Sequence, residues 1–249
     1  CVGLGTSQAY SAVDHVDFRP AGNFSISAWI RTISQGEGYI FQSYSANTNM
    51  AGCNLVMRTD EKIDLRSAKN SGTVENTDYA RVTSSTVVND GNWHHIVGTY
   101  DGAKLHIYID GAEEGTGTAW TNAAAFAETN YVRVGCSNKT GTNADFFKGL
   151  LDDVAFFPSD ALTLEEVQSL YAASINDASN ATIKAKAKAI YLFEDGALTT
   201  DSSGNSHTLT AIGTPTAITT KFNGNVFLGN LSAYSAVDHA DLKPTGAFT

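Results

Sequence analysis

The chain has little cysteine, which limits the ways in which it can be stabilised or bind metal. Its three cysteines are Cys1, Cys53 and Cys136, and their spacing forms neither a disulfide framework nor a C-x-x-C metal motif. A bridge between Cys53 and Cys136 and a set of buried free thiols both remain open. Long hydrophobic runs are also absent. No stretch of about 18 apolar residues occurs, so the sequence predicts no membrane insertion.

Positive charge is scarce as well. The chain has 16 lysines and arginines against 26 aspartates and glutamates, a formal net charge of −10. This balance argues against binding DNA or RNA through their phosphates, so we expect no nucleic-acid partner. Two interpretations of the acidity stay open, a solubilising surface and the binding of hard cations.

A long internal repeat is present. Residues 9–15, A-Y-S-A-V-D-H, recur as residues 233–239, and the alignment extends without a gap over residues 4–25 and 228–249. The offset between the two copies is as long as a whole domain, far beyond the short unit of a solenoid. The repeat therefore predicts a string of similar domains, of which the last is incomplete in this chain.

Short strands separated by turn residues are predicted over residues 22–157, as in a β-sandwich or barrel. Residues 24–30 alternate with period two, with Trp29 on the face opposite Phe24. Residues 105–109 lie between two Asp-Gly turns and predict a hairpin strand. Further strands are expected at 38–44, 53–58, 62–66, 94–100, 130–136 and 147–157.

One helix is predicted after these strands. Thr163 and Glu166 have the spacing of a capping box, and Val167, Leu170 and Tyr171 supply an apolar stripe. The helix is expected to run to about Ala173. Alanine, serine, asparagine and lysine dominate the segment that follows. We therefore divide the chain into a domain at 1–175, a linker at 176–189 and the opening strands of a next domain at 190–249.

Several motifs occur in a recognisable order. They are F-S-I-S-A-W at 24–29, W-H-H-I-V-G-T-Y at 93–100, F-K-G-L-L-D-D-V at 147–154, L-T-L-E-E-V at 162–167, Y-L-F-E-D-G at 191–196, D-S-S-G-N at 201–205 and F-N-G-N-V-F at 222–227. With them the chain resembles the laminin-G-like, concanavalin A-like lectin/glucanase jelly-roll domains. The resemblance implies an all-β fold, an antiparallel two-sheet jelly-roll sandwich with one short peripheral helix.

The order of the motifs departs from the family in one respect. The opening strand and the D-S-S-G-N loop follow the body of the domain here, at 190–205, so residues 1–175 are predicted to lack their first strands. A sandwich without them would expose unpaired backbone groups at a sheet edge. The missing strands are expected from a preceding repeat, from a neighbouring chain by strand donation, or from residues 190–212 folding back.

A calcium site is predicted at the D-S-S-G-N loop. Asp201 and Asn205 place oxygen atoms around a turn, as Ca²⁺ requires. The resemblance adds Asp152, because related jelly rolls hold calcium between this loop and an acid of the closing strand. The expected metal ligands are therefore Asp152, Asp201 and Asn205. Alternatively, Asp201 and Asn205 only make the side-chain hydrogen bonds that form the turn.

Three aromatic residues are candidates for binding sugar. Tyr44, Tyr79 and Trp120 lie in polar, turn-rich stretches, and an exposed ring can stack on the C–H face of a pyranose. The alternative is that these rings cap the core of the sandwich. His94 and His95 lie next to each other in a strand and therefore point to opposite faces, which favours a structural role over catalysis.

Three function classes follow, a structural or adhesive repeat, a calcium-dependent carbohydrate-binding module, and an enzyme. The E-x-D-x-x-E strand of jelly-roll glucanases, a G-x-S-x-G motif and a phosphate loop are all missing, so we expect no enzyme. The repeat favours a non-catalytic adhesive unit of a long extracellular or cell-surface protein or filament. Its expected partners are adjacent repeats or identical subunits, and polysaccharide.

Overall fold

A computed structural model of the chain describes residues 1–5, 7–12, 15–20, 22–45, 51–69, 75, 77–117, 119–120, 130–138 and 142–217. The elements in chain order are β1 (Val2–Leu4), β2 (Ala9–Ala12), β3 (Phe24–Arg31), β4 (Gly38–Ser45), β5 (Gly52–Met57), β6 (Lys62–Ala68), β7 (Tyr79–Val87), β8 (Trp93–Tyr100), β9 (Leu105–Ile109), β10 (Ala112–Thr116), β11 (Asn130–Val134), β12 (Gly149–Phe157), α1 (Leu164–Ala172), α2 (Ala181–Lys184), β13 (Ala189–Tyr191), β14 (Leu209–Ile212) and β15 (Thr216–Ala217).

The strands form two antiparallel sheets. The first has the order β10-β9-β8-β3-β12-β1-β15, with β13 also paired to β12, and the second has the order β14-β2-β11-β4-β5-β6-β7. A single hydrophobic cluster takes side chains from both sheets, so the core lies between them. This architecture confirms the predicted jelly-roll sandwich.

The alternation along β3 determines what each side of the first sheet contacts. Phe24, Ile26 and Ile30 point into the core between the sheets. Trp29 points the other way and stacks on Tyr171 of α1, with ring centroids 5.7 Å apart. The first sheet is therefore covered by apolar side chains on both faces.

The predicted helix and its capping box are present. The Thr163 hydroxyl accepts a hydrogen bond from the Glu166 backbone N–H, and the Glu166 carboxylate accepts one from the Thr163 N–H. Val167 and Leu170 are buried in a second hydrophobic cluster on the outside of the first sheet. Within the described ranges, neither α1 nor α2 has the length and apolar character needed to cross a bilayer.

The segment predicted as a linker packs onto the sandwich. It contains a 3-10 turn at Ala178–Asn180 followed by α2. Ile183 and Ala187 are buried in the same cluster as Val167. These apolar contacts hold the segment on the outside of the first sheet and bring the chain back towards the first strands.

The strands after α2 join the same two sheets. Tyr191 of β13 lies opposite Val154 of β12, and Ala217 of β15 lies opposite Val2 of β1. In the second sheet β14 pairs with β2. The chain thus folds back on itself, and residues 189–217 occupy the edges that would otherwise carry unpaired backbone groups. The second copy of the repeat, residues 228–249, lies outside the described residues.

Candidate functional site

The outer surface of the second sheet is polar. Alternate residues of β4, β5, β6 and β7, such as Phe41, Leu55, Leu65 and Val82, point into the core. Their neighbours therefore point outwards, because side chains alternate along a strand. We name this surface the polar face and define it by its outward-pointing residues, Gln42, Tyr44, Asn54, Asp64, Arg66, Tyr79, Arg81, Thr83 and Arg133.

One row of the polar face contains two tyrosines with small residues between them. Tyr44 lies opposite Gly52, Gly52 opposite Ala68, and Ala68 opposite Tyr79. Both tyrosines are partly exposed. The strands that carry them, β4 and β7, are separated by three inter-strand spacings, or about 14 Å. The row thus has an aromatic residue at each end and the small residues Gly52 and Ala68 between them.

Gly52 is required for the position of Tyr44. A Cβ atom at Gly52 would lie 2.8 Å from Cδ2 of the Tyr44 ring and still closer to the Ser43 carbonyl. Real Cβ atoms do not approach other atoms so closely, so any larger residue would displace the Tyr44 ring. A larger residue at position 52 would therefore disturb the Tyr44 end of the row.

The next row consists of hydrogen-bonding side chains. Gln42, Asn54, Arg66 and Arg81 lie at successive register positions, and Arg133 lies opposite Gln42 on its other side. Amide and guanidinium groups can bond to hydroxyls, and guanidinium also binds carboxylates in a fork geometry. Gln42 and Asn54 are buried, so the guanidinium groups of Arg66, Arg81 and Arg133 are the partly exposed donors of this row.

Two amides in this row contain buried polar atoms without a hydrogen-bond partner. They are Nε2 of Gln42 and Oδ1 of Asn54, and these residues face each other on β4 and β5. The other amide atom of Gln42, Oε1, accepts a hydrogen bond of 2.6 Å from the Asn138 N–H, which fixes the orientation of the side chain. Unpartnered buried polar atoms are costly, and they are often found where a water or a ligand binds.

A buried carboxylate positions Arg66. Asp64 is fully buried and accepts hydrogen bonds from Nε of Arg66 at 2.9 Å and from the Thr83 hydroxyl at 2.6 Å. Arg66 also forms an ion pair of 3.1 Å with Glu37. Burial by itself would lower the pKa of Arg66, but the charges of Asp64 and Glu37 and the nearby Tyr39 together raise it. Arg66 is therefore a fixed cation at the centre of the polar face.

Trp120 does not belong to this surface. Its side chain is 3 % exposed and is part of the core, and its carbonyl accepts a hydrogen bond from the Tyr100 hydroxyl. The ammonium group of Lys69 lies 5.1 Å from the centre of its ring. In this structure the ring has no open face for a sugar, which corresponds to the core-capping alternative.

Asp201 uses both carboxylate oxygens for local hydrogen bonds. They accept four bonds, from the Ile190 N–H, from the Ser203 N–H and hydroxyl, and from the His207 N–H. A carboxylate has about four lone-pair positions, so its capacity is filled. These bonds tie the D-S-S-G-N loop to the start of β13, as in the turn-forming alternative.

The other two predicted calcium ligands also have local partners. The Asn205 amide donates to the Lys188 carbonyl at 3.1 Å and to the Ser203 hydroxyl at 3.0 Å. Asp152 is buried, and its carboxylate accepts a hydrogen bond of 3.1 Å from the Asp153 N–H. No contact between Asp152 and Asp201 is found among the described residues.

Sequence reasoning missed a different cluster. Among the residues that the structure describes, one group of three metal-ligand side chains lies together, namely His15, Asp17 and His207. Two of the three come from the repeated segment, since His15 and Asp17 recur as His239 and Asp241. The recurring His-x-Asp pair was the available signal in the sequence. His207 could not be added from the sequence, because only the fold brings it next to this pair.

The histidines of β8 have structural surroundings. His94 bonds to Asp110 and Asp90 at 2.8 and 3.1 Å. His95 points to the other side, where Nε2 lies 3.0 Å from the Ser27 hydroxyl and the ring contacts Trp29 at 5.0 Å. Ser27 and His95 are both buried, so a substrate has no access to this pair.

The comparison with protein families identifies the class of the molecule. The family model described as the concanavalin A-like lectin/glucanases superfamily, of the laminin G type, matches residues 4–168. This match covers more than half of the chain, and the chain therefore belongs to that family. The predicted resemblance is thus confirmed at the level of the domain.

Individual relatives are more distant. The adhesion G-protein coupled receptor V1 of Danio rerio is 24 % identical over 150 residues, which are 60 % of this chain and 2 % of the receptor. The chain thus spans only a small part of that relative.

Three solved structures share the fold. A protein of Bacteroides ovatus inferred to bind carbohydrate has a TM-score of 0.57 at 15 % identity, covering 86 % of this chain and 60 % of its own. A Ruminococcus gnavus sialidase module, CBM40, bound to α2,3-sialyllactose has a TM-score of 0.54 at 14 % identity, with coverages of 68 % and 96 %. Domain 4 of a Geobacillus stearothermophilus arabinanase, in complex with arabinotriose, has a TM-score of 0.51 at 20 % identity, with coverages of 68 % and 75 %.

Proposed function

We propose that this chain is a non-catalytic, extracellular or cell-surface adhesion domain that binds polysaccharide on its polar face. The observation that carries the proposal is the pair of rows on the second sheet. Tyr44 and Tyr79 offer rings for stacking, and the partly exposed guanidinium groups of the adjacent row offer bonds to hydroxyls and carboxylates.

The comparisons support a sugar ligand. The modules from Ruminococcus gnavus and Geobacillus stearothermophilus were solved with oligosaccharides and share the jelly-roll fold with this chain. Fold similarity alone does not transfer a ligand, so the proposal depends on the composition of the polar face itself. Aromatic rings beside planar hydrogen-bonding groups form an arrangement suited to a saccharide.

The adhesive role is inferred from the repetition of the domain. The segment 9–15 recurs at 233–239, so similar domains follow one another along the chain. Weak binding to a polysaccharide becomes strong when several domains bind one polymer, whereas a catalytic site gains much less from repetition. Contacts with adjacent domains or identical subunits belong to the same proposal.

The test is a glycan array followed by calorimetric titration with the best polysaccharide. We expect Tyr44→Ala and Tyr79→Ala each to weaken binding by about tenfold, equivalent to ~1.4 kcal/mol, which is in the range for loss of a ring contact. Tyr171→Ala is the matched control, because this tyrosine is 43 % exposed but lies on α1 beside the first sheet. Its change should leave the affinity unaltered.

Two outcomes would reject the proposal. One is unchanged affinity in both tyrosine variants of the polar face. The other is hydrolysis of any glycan by the purified chain that disappears when one carboxylate is replaced, because this would make the domain an enzyme.

Calcium dependence remains a prediction within this function. Asp152, Asp201 and Asn205 are its proposed ligands. The two aspartates would have to exchange local hydrogen bonds for the metal, whereas the local bonds of Asn205 are donated by its amide nitrogen. Calcium dependence is tested by carrying out the titration with added Ca²⁺ and with EDTA.

A further inference from the structure

The cluster His15, Asp17 and His207 has the dimensions of a metal site. Oδ2 of Asp17 lies 3.3 Å from Nδ1 of His15 and 2.9 Å from Nε2 of His207. The three ligand atoms all lie within 4.8 Å of one another, and the two imidazole rings have centroids 4.6 Å apart. Ligands at about 2.0 Å from a tetrahedral metal are roughly 3.3 Å from each other, so only small adjustments are needed.

His207 is held in place from several sides. Its backbone N–H donates to Asp201 at 2.9 Å, and its carbonyl accepts a hydrogen bond of 2.9 Å from the Tyr191 hydroxyl. Its ring contacts Phe18 at 5.0 Å, and the residue is buried. A ligand held in this way loses little conformational entropy on binding.

His15 provides the open side of the cluster. Its side chain is 50 % exposed, so an ion can approach from solvent. The backbone N–H of Asp17 donates to Nδ1 of His15 at 3.2 Å. In this contact Nδ1 serves as a hydrogen-bond acceptor, the role that an imidazole nitrogen also has when it binds metal. A metal ion would replace that one hydrogen bond.

We propose that His15, Asp17 and His207 bind a divalent transition metal ion, with zinc as the representative cation. Two imidazoles and one carboxylate suit Zn²⁺ and its neighbours, whereas Ca²⁺ prefers oxygen ligands only. The site is thus chemically distinct from the calcium site predicted at the D-S-S-G-N loop. Three protein ligands leave one coordination position for water or for an oxygen of a bound molecule.

The internal repeat gives independent support. His15 and Asp17 recur as His239 and Asp241, while Val16, Phe18 and Arg19 are replaced by Ala240, Leu242 and Lys243. Asp17 is thus identical in the two copies although both of its neighbours differ, and His15 ends the identical run 9–15. The repeat retains both ligand residues.

A metal ion at this site would join two segments that are far apart in sequence. Asp17 is in the 3-10 turn Val16–Phe18 that follows β2, and His207 lies two residues before β14, the strand that pairs with β2. An ion held by both segments binds only the folded-back chain, so it stabilises that arrangement by mass action. The proposal does not depend on sugar binding.

The experiment uses the full chain without a histidine tag, treated with EDTA and dialysed. Calorimetric titration with Zn²⁺ should show one ion per chain, and Co²⁺ should give the absorption bands of a tetrahedral site. His15→Gln and His207→Gln should each weaken Zn²⁺ binding by at least about tenfold. Zn²⁺ should also raise the melting temperature of the wild type and leave the melting temperatures of both variants unchanged.

His106→Gln is the matched control. His106 also lies between two carboxylates, but its nitrogens contact Glu113 and Asp101 on opposite sides of the ring and have no common point for an ion. This variant should bind Zn²⁺ as the wild type does. His15→Gln keeps the test valid even if His207→Gln fails to fold, because His15 is largely exposed. Absence of Zn²⁺ binding by the wild type, or equal binding by wild type and His15→Gln, would refute the proposal.

Discussion

Leu209 lies directly opposite Ala12 in the second sheet, so one of the last described strands pairs with one of the first. β2 has β14 on one side and β11 on the other. Near this junction the ring of Phe193 contacts that of Tyr10, with centroids 5.1 Å apart. The fold-back segment therefore contributes both backbone pairing and core packing to the sandwich.

Phe193→Ala tests this contribution. Phe193 is fully buried in the core, and its removal leaves a cavity beside Tyr10, so we expect the free energy of unfolding to fall by about 3–5 kcal/mol. Thr210→Ala is the control, since Thr210 is exposed on the same segment and should cost less than ~0.5 kcal/mol. Urea denaturation measures both. Equal stability of the two variants would mean that the segment does not pack on the sandwich in solution.

Asp201→Ala separates the two roles considered for this residue. A calcium site predicts that Ca²⁺ raises the melting temperature, that EDTA lowers it, and that neither acts on the variant. A turn former predicts a less stable variant and no effect of Ca²⁺ on either protein, because four hydrogen bonds are lost in any medium. The filled acceptor positions favour the second outcome. A Ca²⁺-dependent shift that is confined to the wild type would establish the first.

His94 should make stability depend on pH. Burial lowers the pKa of His94, but Asp110 and Asp90 together raise it above the ordinary value of 6.5. A group with a raised folded pKa stabilises the protein fully below its unfolded pKa, and this contribution is lost as pH rises through the folded value. The difference in unfolding free energy between wild type and His94→Gln should therefore shrink above pH 6.5. A difference that grows with pH would contradict the assigned pairing.

Local patterns predicted the elements well. The alternation at Phe24 and Trp29 gave the two faces of β3, and the capping box at Thr163 gave the start of α1. Both depend on residues near each other in sequence, where hydrophobic period and side-chain to backbone bonds decide the local conformation.

Long-range features could not be derived in the same way. The motif order showed that strands were missing from residues 1–175, but it could not decide which segment supplies them, because strand pairing depends on the whole chain. Trp120 lies in a polar stretch and is nevertheless buried by segments distant in sequence. His207 joins His15 and Asp17 only after β14 has paired with β2.

Asp64→Ala tests whether the polar face is pre-organised. Its carboxylate is fully buried and holds Arg66 and Thr83, so its removal leaves Arg66 without its nearest counter-charge. Breaking a fully buried ion pair costs about 3–5 kcal/mol, but Arg66 is 24 % exposed and retains Glu37, so we expect a smaller loss of about 2–3 kcal/mol.

Thr83→Val is the matched control for that variant. It removes one hydrogen bond to the same carboxylate and should cost about 1 kcal/mol, measured in the same urea titrations. Because Arg66 loses its fixed orientation only when Asp64 is replaced, polysaccharide affinity should fall in Asp64→Ala and stay near the wild-type value in Thr83→Val. Equal affinity in the two variants, with the expected stabilities, would mean that Arg66 supports the sheet without contacting the ligand.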